Sequence, residues 1–173
     1  MTLKYSFAAR LLHWVMALGL WATFLLGKYI SGLEGFSLET IQYISTHKAI
    51  GFLLLLLVFV RLGFRIYQSR PPLMLTKTQA IAAKVGHNLL YFLMILTPLL
   101  GLIGSSYSGF SVPLFSEHIV VPTFTVADLD ISKTLFWYHG ISAMALILLS
   151  LGHIAFALWH HFIERDNSLS KML

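Results

Sequence analysis

Four apolar runs constrain this chain more than any other feature, at about 11 to 27, 43 to 60 (continuing past Arg61 to about 67), 85 to 104 and 135 to 159. Each is close to the ~20 residues a helix needs to cross the hydrocarbon core of a bilayer. A helix in lipid satisfies its own backbone polar groups, so the core of such a protein is what lies between its helices. The 173 residues leave no room for a second domain once the runs are counted. The expected fold is all-α, a transmembrane four-helix bundle over residues 1–173, with spans at about 7–27, 42–67, 80–104 and 134–162. Composition agrees: 57% hydrophobic and only 11% charged residues, with a mean hydropathy of +0.78, lie outside the soluble range. Lys4 and Arg10 ahead of the first run imitate a signal peptide. The run lacks an A-x-A cleavage site and carries His13, so it is read as a mature helix.

Charge sets the expected topology. The formal net charge is +5, which by itself would suit nucleic acid, but its distribution points elsewhere. Lys4, Arg10, Arg61, Arg65, Arg70, Lys77, Lys84, Arg165 and Lys171 fall on the tails or around the loop between spans two and three. The other two loops hold Lys28, Lys48 and Lys133 against Glu34, Glu39, Glu117, Asp128 and Asp130. The positive-inside rule then puts both termini and the middle loop in the cytoplasm, and the partner of the basic excess is membrane lipid, with no nucleic acid implied.

The middle loop contains Pro71-Pro72, which stops one helix, and a polar run that restarts another near Thr78. The connection 105–133 holds Gly109, Pro113 and Pro122 among aromatic and aliphatic residues, and is expected to fold as a periplasmic cap. The segment "ERDNSLSKML" reads as a frayed cytoplasmic end.

Histidines carry the chemistry. His139 and His153 are fourteen residues apart in the fourth run, about 40° short of four full turns and roughly 21 Å along the axis. They share one face near opposite sides of the membrane. His47 opens the second span level with His139, and His13 lies in the first span level with His153. His87, near the start of the third span, competes with His13 for the lower position. One histidine in a bundle is usually packing, but ionisable groups at matched depths in lipid mark function. A zinc or copper transport site would need three or four converging ligands, which the ~21 Å separation forbids. A porphyrin needs only two, one from each face. With no cysteine in the chain, covalent haem and thiolate clusters are excluded, so the pairs point to two haems b. Filled axial positions favour electron exchange over ligand binding.

These residues resemble the bacterial di-haem cytochrome b561 family, which also includes membrane cytochrome b subunits of respiratory enzymes. The likeness runs through "KYS", "LHW", "HKAIGF", "VRLGFR", "RPP", "GHNLLYFLM", "YHG", "GHIAFALWHHF" and "DNSL". It implies iron held by histidines of the first, second and fourth spans: His13 with His153 at an inner haem, His47 with His139 at an outer haem. His87 then becomes a hydrogen-bonding neighbour, or an alternative ligand. The resemblance also implies an oxidoreductase of the bacterial inner membrane that takes electrons from a periplasmic donor, superoxide or a redox partner, and reduces ubiquinone from the quinone pool. A rival within the resemblance is an electron-conducting anchor subunit of a hydrogenase-like or dehydrogenase-like complex.

Further candidates surround the pairs. His160, seven residues beyond His153, is a candidate quinone contact, whereas His161 points elsewhere. Arg61, fourteen residues from His47, is a candidate haem-propionate partner. Arg65 is expected to snorkel to headgroups. Trp137 adjoins an outer ligand; Trp14, Trp21 and Trp159 read as an aromatic belt. Gly51, Gly86, Gly140 and Gly152 flank histidines and would leave space for a macrocycle.

Overall fold

The computed structural model describes residues 4–35, 37–68, 76–113, 115, 119–166 and 169–172. Arg70, Pro71, Pro72 and Glu117 lie outside the described residues. Four long helices, α1 (Phe7–Ser31), α2 (Leu38–Tyr67), α3 (Lys77–Tyr107) and α4 (Leu129–Phe162), are each long and apolar enough to cross a membrane. They extend past the apolar runs because polar residues in the flanks start them. The Ser6 side chain accepts from the Ala9 N–H, Ser37 from Thr40, and Asp128 from Asp130 and Ile131. Thr76 and Gln79 form a reciprocal capping box at the head of α3. Each cap satisfies donors a helix start cannot satisfy from within.

Neighbours in sequence are neighbours in space: α1 packs on α2, α2 on α3, and most extensively α3 on α4, whereas α1 and α4 touch sparsely. The core ties α1 to α2 and α3 through Met16, Leu55 and Val58, bordered by Leu12, Leu54, Tyr91, Met94 and Leu99. Leu146, buried on α4, is seven residues from His139 and seven from His153. It therefore fills the middle of the bundle between the two histidine levels. The outward faces carry Leu18, Leu25, Phe59, Phe92 and Leu148, all exposed, as expected where the solvent is hydrocarbon.

Backbone and side-chain polar groups close both ends. At one end, Val112–Pro113 (β1) pairs antiparallel with Val120–Val121 (β2). There the Ser106 hydroxyl accepts from the Phe124 and Thr125 N–H groups, at 2.8 and 3.1 Å. Ser132 on α4 donates to the Gly104 carbonyl on α3 at 2.9 Å. We call this the cap end. At the other end the tail, expected to fray, is docked instead. A 3-10 turn (Leu169–Lys171) lies against α4; Tyr5 N–H donates to the Lys171 carbonyl at 3.2 Å and Trp14 Nε1 to the Met172 carbonyl at 3.0 Å. Gln79 Nε2 donates to Glu164 Oε1 at 2.8 Å, joining α3 to the same segment. Tyr5, just ahead of α1, and Trp14 within it thus satisfy carbonyls of the tail. This is the terminal end.

Candidate haem sites

At the cap end, α2 brings His47 and α4 brings His139 into one void. Their ring centroids are 6.0 Å apart with planes at 84°. The void is lined almost wholly by apolar groups such as Leu20, Phe24, Leu54, Met94 and Ile147. His47 Nδ1 lies 3.1 Å from the Thr23 carbonyl and His139 Nδ1 2.8 Å from the Thr97 carbonyl. A carbonyl only accepts, so each Nδ1 carries the proton and each Nε2 keeps its lone pair for a metal. Two glycines permit the approach. A Cβ on Gly27 would come within 2.9 Å of the His47 ring, and one on Gly101 within 3.0 Å of the His139 ring.

At the terminal end, His13 on α1 and His153 on α4 stand 6.3 Å apart, centroid to centroid, with planes at 85°. His87 lies 5.3 Å from His153, at 69°, and its Nδ1 is bonded to the Ala83 carbonyl of its own helix at 2.6 Å. Arg61 Nη1 donates to the Ala9 carbonyl at 3.2 Å, one turn before His13. Arg65 does not simply reach outward: its guanidinium sits 4.9 Å from the centre of the Tyr91 ring, a cation–π contact.

The donor sets can be tested against haem directly. An iron with two trans imidazole nitrogens at about 2 Å holds the ring centres roughly 6 Å apart. The spacings of 6.0 and 6.3 Å fit; the 5.3 Å of His87 and His153 is short. No Cβ added at Gly51, Gly86, Gly140 or Gly152 would meet an atom within 4 Å, and Gly51 lines the void itself. Those positions border open space, while the close approaches fall on Gly27 and Gly101, which the histidine-flanking pattern did not single out. Their sequence signal was depth: both sit at the cap ends of their helices, level with the imidazoles they admit.

His160 is 1% exposed. Its Nδ1 lies 2.8 Å from Asp166 Oδ2 and 3.4 Å from Glu164 Oε2, its ring packs on Phe156, and its Nε2 is buried with no hydrogen-bond partner among the described residues. Asp166 reaches back because Arg165 adopts a left-handed conformation, φ 53°. Nothing in the linear sequence announces that turn, and the pair was missed there. His161 turns to Phe162. Trp137 is exposed and packs on Tyr138, so it faces away from the void.

A membrane-spanning bundle with imidazoles paired at two depths defines a class: integral membrane cytochromes that carry electrons on non-covalently held haem. The family model for prokaryotic cytochrome b561 matches residues 4–173. The chain belongs to that family, which implies haem b and a multi-pass membrane protein of electron transfer. Among its relatives, "Cytochrome b561 homolog 2" of Escherichia coli (strain K12) is 29% identical, covering 98% of this chain and 91% of the relative. "Probable superoxide oxidase CybB" of Yersinia pestis is 28% identical, over 98% and 96%. "Cytochrome b561 homolog 1" of Escherichia coli (strain K12) is also 28% identical, over 98% and 97%.

Proposed function

We propose that this protein is a di-haem b cytochrome that oxidises superoxide at the cap end and reduces ubiquinone at the terminal end of the bacterial inner membrane. The observation that carries this reading is the pair of imidazole spacings, 6.0 and 6.3 Å, stacked along α4. His47 and His139 hold the outer haem, His13 and His153 the inner one, and Arg61 partners an inner propionate. His87 is a neighbour, its ring 5.3 Å from that of His153, shorter than either paired spacing. The positive-inside distribution supports a cap in the periplasm and both termini in the cytoplasm. The name of the Yersinia pestis relative supports superoxide as donor.

Bound haem supplies one-electron oxidation and reduction. The residues supply the rest. The apolar lining of the void, with Leu146 between the levels, excludes water from the path. Lys48, whose ammonium lies 5.9 Å from the Phe110 ring centre at the cap end, provides local positive charge for an anionic donor, whereas Lys133 on α4 is paired with Asp130 at 3.4 Å. Each superoxide gives up one electron and becomes oxygen, so two are needed, with two protons, to turn a quinone into a quinol. His160, held at Nδ1 by Asp166 2.8 Å away, passes a proton through Nε2 to a quinone oxygen.

The test is the purified protein. Haem-to-protein ratio near two, and quinol formation when superoxide is supplied to the isolated chain, are the expected results. A ratio of one removes the stacked pairs. Inactivity of the isolated chain, with co-purification of a large soluble subunit, makes it an anchor subunit instead.

A further inference from the structure

The two histidine levels are built differently. At the cap end both imidazoles donate through Nδ1 to backbone carbonyls of neighbouring helices, Thr23 and Thr97, and Gly27 and Gly101 let the rings lie tight against those helices. The Thr23 hydroxyl is itself bonded to Gly19 at 2.7 Å, which pins that stretch of α1. A carbonyl accepting from a metal-bound imidazole pulls the ring toward imidazolate and raises the basicity of its other nitrogen. With the same bond on both rings, the effects add.

At the terminal end that device is missing. Among the described residues, neither the His13 nor the His153 ring makes such a bond. The carbonyl one turn before His13, that of Ala9, accepts from Arg61 Nη1, in the position where Ala83 serves His87. That bond holds the Arg61 guanidinium one turn of α1 from His13. A fixed positive charge favours whichever state carries the additional electron.

We propose that the Thr23 and Thr97 carbonyls make His47 and His139 the more electron-donating pair, so that the haem they hold is the harder of the two to reduce. Arg61 biases the other level the opposite way. The inference rests on the di-haem reading above and adds a direction to it: the gradient runs from the cap end to the terminal end, favouring passage from an outer donor to an inner acceptor. Thr23, Thr97, Gly27 and Gly101 act as positioning residues, through the imidazoles.

The experiment is a potentiometric titration of the purified, haem-loaded protein, followed by visible absorbance and by the low-spin ferric paramagnetic resonance signals. Gly27→Ala and Gly101→Ala press a methyl group against the imidazoles and tilt them off their carbonyls. The component reduced last should move to higher potential and its resonance should shift, with the other unmoved. Arg61→Gln should lower the component reduced first and leave the last in place. His13→Ala assigns the levels should the alanine variants fail to fold, since the haem it retains should titrate with the component reduced last. The proposal is overturned if the glycine variants move the component reduced first, if Arg61→Gln moves the one reduced last, or if the haem left in His13→Ala titrates with the first. Fewer than two haems in the unaltered protein overturns the di-haem reading itself, before any potential is compared.

Discussion

A histidine in lipid is expensive unless its ring nitrogens are engaged, and four imidazoles here engage Nδ1 in three ways. His47 and His139 spend Nδ1 on a neighbouring helix, His87 spends it on its own, and His160 spends it on a carboxylate. Replacing His13, His47 or His139 by alanine should each lower the haem content from two equivalents to one, read by the pyridine haemochrome assay. His87→Ala should leave it at two, because its distance to His153 is short. Asp166→Asn should slow quinol formation by roughly tenfold to a hundredfold, as expected for a weakened proton donor, with haem content unchanged. Stopped-flow measurement on the purified variant checks this, and an unaltered rate would remove His160 from the proton path.

Each helix begins at a side chain that caps it, and each is held laterally by a few close approaches rather than by a thick core. The α3–α4 contact is also close at Gly104, where an added Cβ would lie 3.2 Å from the Phe136 ring and 3.3 Å from the Leu135 Cβ. Pro98 inside α3 removes an amide donor beside Thr97, at the level where α3 lends a carbonyl to His139. Thr76→Ala loses both halves of the capping box and should cost about 1 kcal/mol, seen as a lower thermal midpoint with an unchanged haem spectrum. Leu146→Ala, at the centre of the bundle, should cost ~2–5 kcal/mol through lost burial and a residual cavity, a much larger drop in the same melt.

Taken whole, the molecule is an odd-sided object: a β-hairpin cap over one end, a folded-back tail across the other, and apolar faces between. The absence of cysteine in the chain makes its orientation easy to test. Cysteine placed at exposed Glu34, near the cap end, should react with a membrane-impermeant maleimide in intact cells. Cysteine at Lys171 should react only after the membrane is opened. The reverse pattern would invert the assignment of donor and acceptor sides.

The number of spans and the depth of each histidine were legible in the linear sequence, because hydropathy measures a span and the rise per residue is constant along a helix. The same regularity put His139 and His153 on one face of α4. Which imidazole stands opposite His153 was not legible, since His13 and His87 lie at similar depth on different helices and no local rule sets how one helix is turned against the next. The resemblance supplied the choice of His13; the ring spacings supplied a physical reason for it. The carbonyls of Thr23 and Thr97, the clearances at Gly27 and Gly101, and the return of Asp166 to His160 are contacts between segments far apart in sequence or joined through an unusual backbone angle. Only the packed helices decide such contacts, because they depend on the rotation and approach of whole elements rather than on the period within one.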